Sequence, residues 1–570
     1  MKNQHMEEKR EKNEGNYDKD TKDFDDILTL VGEFGKYQRL IYVSLLIVSM
    51  LASMVKASIV FIEYTPSFRC KLPGLPNDTF EIQGEWHQSM VNITMSNVTD
   101  EECTVFHNAN YSRTSGQNDT VAEKCTEWVF DTTDIAYSYP MQFSLVCDDS
   151  SKLTNSYIFN VLGYLVGGPL FGVLADVIGR KVALLLGMGV GGLAGVAWAF
   201  SPTYLWSIGI RFLYGFGMSG MYSLSSTLTL EMVGPNKRMA TGTGLAIIYA
   251  GGGAVATGIA YFLRDWRHLS IAVSAAYVLL ACAMIFFLPE SPRWLLTKGA
   301  HAKAEKILKR ASKINKTYFP KGIVEKVEMN EPPTSSARAL LHAPKLVVKM
   351  LLLYINWLVL DMTYYGINLH AGNMAGDIYL NIFLLSIVEI PAYTLCFTID
   401  RFGRKRVYIM CMVVGGLACL SSLLVQRYAD NDLESTNYIK IALSTVGKFG
   451  VAAGYNIVYI WSIEIFPTVV RNFSLGLAAV CASCGSILAP VIVREIKVDS
   501  IGKDTLPLVI FGAAAIFGSM CTIPLPETAK KDLPETVEEA NSFKYRGPYG
   551  SSPNGYQVAP GNGLSESTAL

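Results

Sequence analysis

Gly172-Val-Leu-Ala-Asp176-Val-Ile-Gly179-Arg180-Lys181 follows one long apolar run and precedes another, and Asp400-Arg-Phe-Gly403-Arg404-Lys405-Arg406 does the same 224 residues later. Charges beside apolar helix ends are costly near a membrane unless they are paired, and glycine permits the tight turn between them. Two further landmarks recur in the same order. Glu231-Met-Val-Gly-Pro-Asn-Lys-Arg238 returns 233 residues later as Glu464-Ile-Phe-Pro-Thr-Val-Val-Arg471. Pro289-Glu290-Ser291 returns 237 residues later as Pro526-Glu527-Thr528. Two six-helix halves related by duplication are the direct reading. The second half departs at Cys396, where the first has Gly172.

Around these landmarks lie apolar stretches of about 20 residues, the length that crosses ~30 Å of hydrocarbon as a helix. They fall near 39–62, 154–175, 182–201, 204–226, 240–262, 269–288, 347–369, 377–398, 407–426, 440–463, 473–493 and 505–524. Of 570 residues half are hydrophobic and 17% charged, against roughly a quarter charged in soluble domains. A soluble enzyme, a secreted disulfide scaffold and a disordered chain are excluded. The net charge is zero, which gives no support to nucleic-acid binding. The sequence therefore predicts an all-α membrane protein with twelve transmembrane helices in two pseudo-symmetric halves. Residues 1–38 form a polar N-terminal segment with no cleavable secretory signal expected. The first half is 39–289, a linker 290–346, the second half 347–526 and a polar tail 527–570.

The loop 64–150 inside the first half carries five glycosylation sequons, at Asn77, Asn92, Asn97, Asn110 and Asn118, and thirteen acidic residues against four Lys or Arg. Five sequons in one loop point to an extracellular or lumenal face. The same loop holds Cys70, Cys103, Cys125 and Cys147, which in an oxidising compartment imply two disulfides with three possible pairings. The segment 290–349 has thirteen Lys or Arg against five acidic residues, which suits the cytoplasmic side and places both termini there. On the short turns, Asp176 and Arg180, and Asp400 and Arg404, can pair with Glu231/Arg238 and Glu464/Arg471 as the inner faces close. They serve either as contacts that form and break while the halves rock, or as static topology anchors.

This pattern resembles the major facilitator superfamily, through the loop motif at 172–181 and Pro289-Glu-Ser-Pro-Arg-Trp-Leu295. Finer features resemble the organic cation, anion and zwitterion transporter family of solute carriers. They are the cysteine-bearing first loop, Thr65-Pro-Ser-Phe-Arg-Cys70, Asp265-Trp-Arg267, Tyr364-Tyr-Gly366, Glu389-Ile-Pro391 and Phe466-Pro-Thr-Val-Val-Arg471-Asn472. The resemblance spans roughly 35–540, and Gly376-Asp-Ile-Tyr-Leu-Asn-Ile-Phe, Val388-Glu-Ile-Pro-Ala-Tyr393 and Ser567-Thr-Ala-Leu570 look most like its organic cation/carnitine branch. It implies a plasma-membrane carrier that works by alternating access around one cavity. The implied lining is Tyr222, Tyr249, Trp357, Tyr364, Glu389, Asn456, Tyr459 and the span-eleven position Ser483.

The residues themselves support an organic-cation pocket. Trp357 and Tyr364 share a helical face, and aromatic faces attract cations by ~0.5–2 kcal/mol each. Glu389 lies mid-span, where an ionised group needs a function or a partner; Lys448 on span ten is the structural alternative. Ser483 is neutral where the family's cation branch tends to have an acid and its anion and carnitine branches an arginine, and Tyr393 stands where anion carriers tend to have lysine. An anion pocket therefore lacks its usual charges, and a carnitine pocket lacks its usual carboxylate partner. Lys56 in span one and Asp361 in span seven are further intramembrane charges. They form a gate pair, or Lys56 receives a substrate carboxylate opposite Glu389, or Lys56 snorkels to the surface.

No phosphate-binding loop, zinc spacing or other catalytic constellation is present in a polar setting, so no enzyme activity, metal or cofactor is expected. The glycine run 251–253 in span five suits close helix packing. The terminal Thr568-Ala-Leu570 is a candidate ligand for a PDZ domain, which captures such carboxyl ends by strand addition. The remaining partners expected are membrane lipid and a small organic substrate. The competing functions are an organic anion carrier and a non-transporting receptor or scaffold on the same fold.

Overall fold

The structure, a computed structural model, describes residues 24–72, 75–95, 103–108, 120–320, 322–326, 343–374, 376–429, 434–467, 470–496, 505–529, 534 and 537–542. The expected spans appear in order. Spans one to six are Lys36–Ile62, Ser150–Ile178, Arg180–Ala199, Tyr204–Met218 continued by Met221–Met232, Arg238–Phe262 and Trp266–Phe287. Spans seven to twelve are Pro344–His370, Ile378–Ile387 continued by Glu389–Thr394, Arg404–Tyr428, Glu434–Ile465, Arg471–Pro490 and Leu506–Cys521.

Among the described residues, nine helices are each long and apolar enough to cross a membrane unaided. The other three spans are broken or short. Span four is interrupted at the small pair Ser219–Gly220, a usual site of helix kinks. Span eight breaks at Val388, because Pro391 has no N–H and its ring collides with the carbonyl four residues back, at Ile387. Span twelve has only 16 residues.

The halves repeat their packing. Span one lies on span five as span seven lies on span eleven, and span three lies on span six as span nine lies on span twelve. Spans five and eight, and spans two and eleven, meet across the boundary between halves. Small residues allow this closeness. A Cβ on Gly252 would sit 2.3 Å from the Met50 carbonyl oxygen, and one on Gly253 would sit 2.5 Å from Ser386 Oγ in the other half. In lipid, where apolar surface gives helices little reason to associate, such backbone approach is a main source of contact.

Among the described residues, the strands form two small antiparallel ribbons in the first loop: Phe68–Cys70 with Trp128–Phe130, and Thr104–Asn108 with Thr120–Lys124. Of the three possible pairings, the cysteines adopt Cys70–Cys125 and Cys103–Cys147. Asn77 and Asn92 are exposed; Asn97, Asn110 and Asn118 lie outside the described residues. The loop's polar centre is Asp78, which accepts from Arg69 Nη1 at 2.8 Å, Arg69 Nη2 at 2.6 Å and the Leu72 N–H at 2.7 Å. Burial works to raise this carboxyl, and those hydrogen bonds outweigh it and hold Asp78 below the usual carboxylate range. A carboxyl lowered by folding gives stability above its unfolded pKa and loses it as pH falls through the folded one. Protection of the amides in 68–72 and 75–95 against hydrogen exchange is therefore expected to fall selectively below about pH 4, and Asp78→Asn to abolish that dependence.

Candidate functional site

Four charges meet between the halves: Asp361, Glu389 and Lys448 are buried and Lys56 is half-buried. At the break in span eight, Glu389 Oε1 lies 3.0 Å from Lys448 Nζ on span ten. The same carboxylate accepts from Tyr364 Oη at 2.7 Å and from Tyr393 Oη at 3.0 Å. Lys448 is 0% exposed, and its ammonium sits 2.9 Å from the centre of the Tyr364 ring. Glu389 thus has the structural partner that was the alternative reading of this residue.

Lys56 is placed differently from the expected gate pair. It donates to Tyr365 Oη and lies 5.0 Å from the Tyr365 ring and 5.8 Å from the Tyr164 ring. Asp361 accepts instead from Ser486 Oγ at 2.7 Å. The two charges influence each other electrostatically without forming an ion pair. Hydroxyls supplied by spans seven and eleven satisfy each charge more closely than the other charge does.

Two small cavities flank Lys56. One, of 30 Å³, is lined by Lys56, Tyr249, Tyr364 and Glu389. The other, of 70 Å³, is lined by Lys56, Tyr164, Tyr222, Tyr249 and Tyr277. Each has room for one to a few water molecules. Of the eight expected lining residues, Tyr222, Tyr249, Tyr364 and Glu389 are here. Trp357, Asn456, Tyr459 and Ser483 line neither cavity. Trp357 Nε1 donates to Ser462 Oγ at 3.0 Å, and its ring packs 5.4 Å from Tyr455 and 6.2 Å from Tyr459. Asn456 is half-buried, and Ser483 turns its hydroxyl back to the Ala479 carbonyl at 3.0 Å. Tyr222 and Tyr459 are 39% and 48% exposed. Tyr455, which also packs 5.9 Å from Tyr364, was not expected from the sequence, although Lys448, Tyr455 and Tyr459 fall at spacings that share a helix face.

The repeated motifs build two matching corners at the linker end. Arg180 pairs with Asp176 at 2.8 Å and Glu231 at 3.3 Å, and Arg404 pairs with Glu464 at 2.8 Å. The glutamate of each Pro-Glu-Ser/Thr motif caps the start of an earlier helix, span three for Glu290 and span nine for Glu527. Glu290 accepts from the Arg180 and Lys181 N–H groups at 2.9 and 3.1 Å, and Glu527 from those of Arg404 and Lys405 at 2.9 and 3.1 Å. Carboxylates are favoured at such helix starts. Gly179 and Gly403 are left-handed, and a Cβ on either would meet the capping carboxylate at 2.3 or 2.6 Å. Arg238 does not join its corner: it forks onto Asp25 at 2.5 and 2.9 Å. Arg471 donates to the Phe466 carbonyl at 3.2 Å. The Asp400 side chain lies outside the described residues. The pairs seen here stay within one half.

Among the described residues, side-chain bonds between the halves lie toward the loop end. Besides Lys56 to Tyr365, Thr154 donates to Glu495 at 2.6 Å, Tyr379 to the Asp134 carbonyl at 2.8 Å, and Arg494 to Glu63 at 2.7 Å. Glu63 also holds Arg211 of span four, which is 0% exposed and stacks 4.3 Å from the Trp198 ring. This cluster was not expected from the sequence, although an arginine in the middle of an apolar run was the available signal.

Residues 89–540 match the model of the family described as sugar (and other) transporter. The chain is 32% identical over 562 residues to the organic cation transporter protein of Drosophila melanogaster, covering 96% of this chain and 98% of that one. It is 31% identical over 541 residues to the mouse organic cation/carnitine transporter 2, covering 91% and 94%. The fold is that of the E. coli xylose transporter XylE in its partially occluded inward-open conformation, with a TM-score of 0.57 at 15% identity, covering 86% of this chain and 99% of that one. The chain is accordingly a multi-pass membrane transporter, a member of the organic cation, anion and zwitterion family of solute carriers within the major facilitator superfamily.

Proposed function

We propose that this transporter carries small organic zwitterions of the carnitine type, and organic cations less well, by alternating access across the plasma membrane. The observation that carries the reading is Lys56. It faces a cavity shared with Glu389 yet has no carboxylate partner of its own among the described residues. Lys56 and Lys448 balance Asp361 and Glu389, so the quartet is neutral. A zwitterion leaves that balance intact, whereas a simple cation adds an uncompensated charge to a site where charge is expensive. The relative named for carnitine as well as organic cations fits this preference. Ser483 and Tyr393, in place of the cationic residues of anion carriers, weigh against an anion substrate. In this reading the cysteine-bearing loop is extracellular and glycosylated, and both termini are cytoplasmic. The paired corners at the linker end serve as gating elements, and the carboxyl end, outside the described residues, is available to a PDZ domain.

Uptake of labelled carnitine and labelled tetraethylammonium by cells expressing the chain, with and without sodium, tests the proposal. Lys56→Gln is expected to raise the carnitine KM about tenfold or more, the loss of one hydrogen bond to a charged group, and to spare tetraethylammonium. Tetraethylammonium uptake alone, unaffected by Lys56→Gln, would make it a simple cation carrier. Uptake of neither at normal surface expression would favour the anion or receptor readings.

A further inference from the structure

The two cavities that share Lys56 and Tyr249 differ in chemistry. The smaller contains the Glu389 carboxylate and belongs to both halves. The larger has no acidic residue in its wall and is built from the first half alone. Its wall presents an ammonium and four tyrosines, Tyr164, Tyr222, Tyr249 and Tyr277. Tyr277, on span six, is 0% exposed, and its hydroxyl has no hydrogen-bond partner among the described residues. A phenol buried in this way is costly unless a ligand or water completes it. Ser219, at the break of span four, is also in the wall, and a new helix starts two residues on at Met221. The start of a half-helix at a substrate cavity favours an anionic group.

We propose that the larger cavity receives the substrate's carboxylate, with Lys56 supplying the counter-charge and Tyr277 acting as a specificity-determining hydrogen-bond donor. This deepens the zwitterion reading above and rests on it. It also fixes an orientation. The carboxylate points into the first half, and the ammonium end points through the smaller cavity toward Tyr364 and Glu389 of the second. A ligand held at both ends ties the halves together, whereas one lacking the carboxylate engages only one pole.

The test compares carnitine with choline, which keeps the trimethylammonium and lacks the carboxylate. Binding of each is measured on the purified full-length protein, for wild type, Tyr277→Phe and Lys56→Gln, beside the ligand-free melting temperature. Tyr277→Phe is expected to weaken carnitine about tenfold, the scale of one donor to a charged group, and to leave choline within twofold. An equal loss for both ligands, or no loss for either, would overturn the assignment of Tyr277 while leaving the zwitterion reading intact. If wild type binds choline as well as carnitine and Lys56→Gln changes neither, the zwitterion reading itself falls, and this inference with it. A melting temperature that drops in Tyr277→Phe together with both affinities assigns the residue to packing.

Discussion

Glu63→Gln is expected to be the most damaging single substitution at the loop end. The carboxylate is divided between two arginines, Arg211 of its own half and Arg494 of the other. Arg211 is fully buried and keeps two guanidinium nitrogens, Nε and Nη1, without hydrogen-bond partners among the described residues. Removing its only ion-pair partner among the described residues leaves an uncompensated buried charge, which costs about 3–5 kcal/mol, a large share of the stability of most proteins. The expected result is low surface expression and a clearly lowered melting temperature. Arg494→Gln separates stability from gating, because it leaves Glu63 and Arg211 paired within the first half and removes only the bond across the boundary. One charge-assisted hydrogen bond is worth about 1.5–3 kcal/mol, so opening at the loop end should become at least about tenfold more populated. A cysteine introduced at Val60, in the wall of the smaller cavity, should then react correspondingly faster with a membrane-impermeant maleimide, with a melting temperature that falls less than that of Glu63→Gln. Equal labelling with and without Arg494 would show that the Glu63 cluster is purely structural.

The fold was legible because crossing a bilayer fixes helix length, and duplication fixes order. Span seven, read at 347–369, runs Pro344–His370, and the repeated motifs mark equivalent corners. The break at Ser219–Gly220 was hidden because an interrupted span is as apolar as a continuous one. Within the site, Glu389 and Lys448 announced themselves by the expense of charge at depth, and the structure joins them. The Lys56–Asp361 pairing was inferred from the same expense and differs because hydroxyls compete: Tyr365 and Ser486 are nearer solutions, and a serine or tyrosine in an apolar run carries no sequence signal of what it will bond. Glu63, Arg494 and Glu495 stand at span ends, where charge is ordinary, so only Arg211 marked the cluster that they form. Trp357 shows the converse limit of a sequence reading. Its helical register with Tyr364 was read correctly, but its indole is used to bind Ser462 and pack on span ten.

Glu389 and Lys448 then pose the sharpest mutational question, because both a structural and a functional role predict that Glu389→Gln abolishes transport. With the carboxylate gone, Lys448 remains buried beside the Tyr364 ring with no ion-pair partner among the described residues, at a cost of about 3–5 kcal/mol. Lys448→Met strands Glu389 in the same way, softened by the two tyrosine hydroxyls that still reach it. The double variant Glu389→Gln/Lys448→Met removes both charges at once. Replacing a buried ion pair by neutral groups of similar volume is often near neutral, so its melting temperature is expected to return close to wild type while each single variant falls. Such recovery is the mark of direct coupling. Transport need not follow stability. If Glu389 serves only Lys448, the restored fold should carry carnitine and tetraethylammonium at wild-type rates. If Glu389 also takes the ammonium of the substrate, exchanging Lys448 for it as the halves move, the double variant should be stable at the surface and yet lose uptake of both by at least about tenfold, the worth of one buried charge-assisted contact. The geometry favours the second outcome. Glu389 faces the same small cavity as Lys56, whereas the Lys448 ammonium lies against the Tyr364 ring, outside the cavity wall, so that a cation arriving in the cavity meets the carboxylate from the side that Lys448 leaves open.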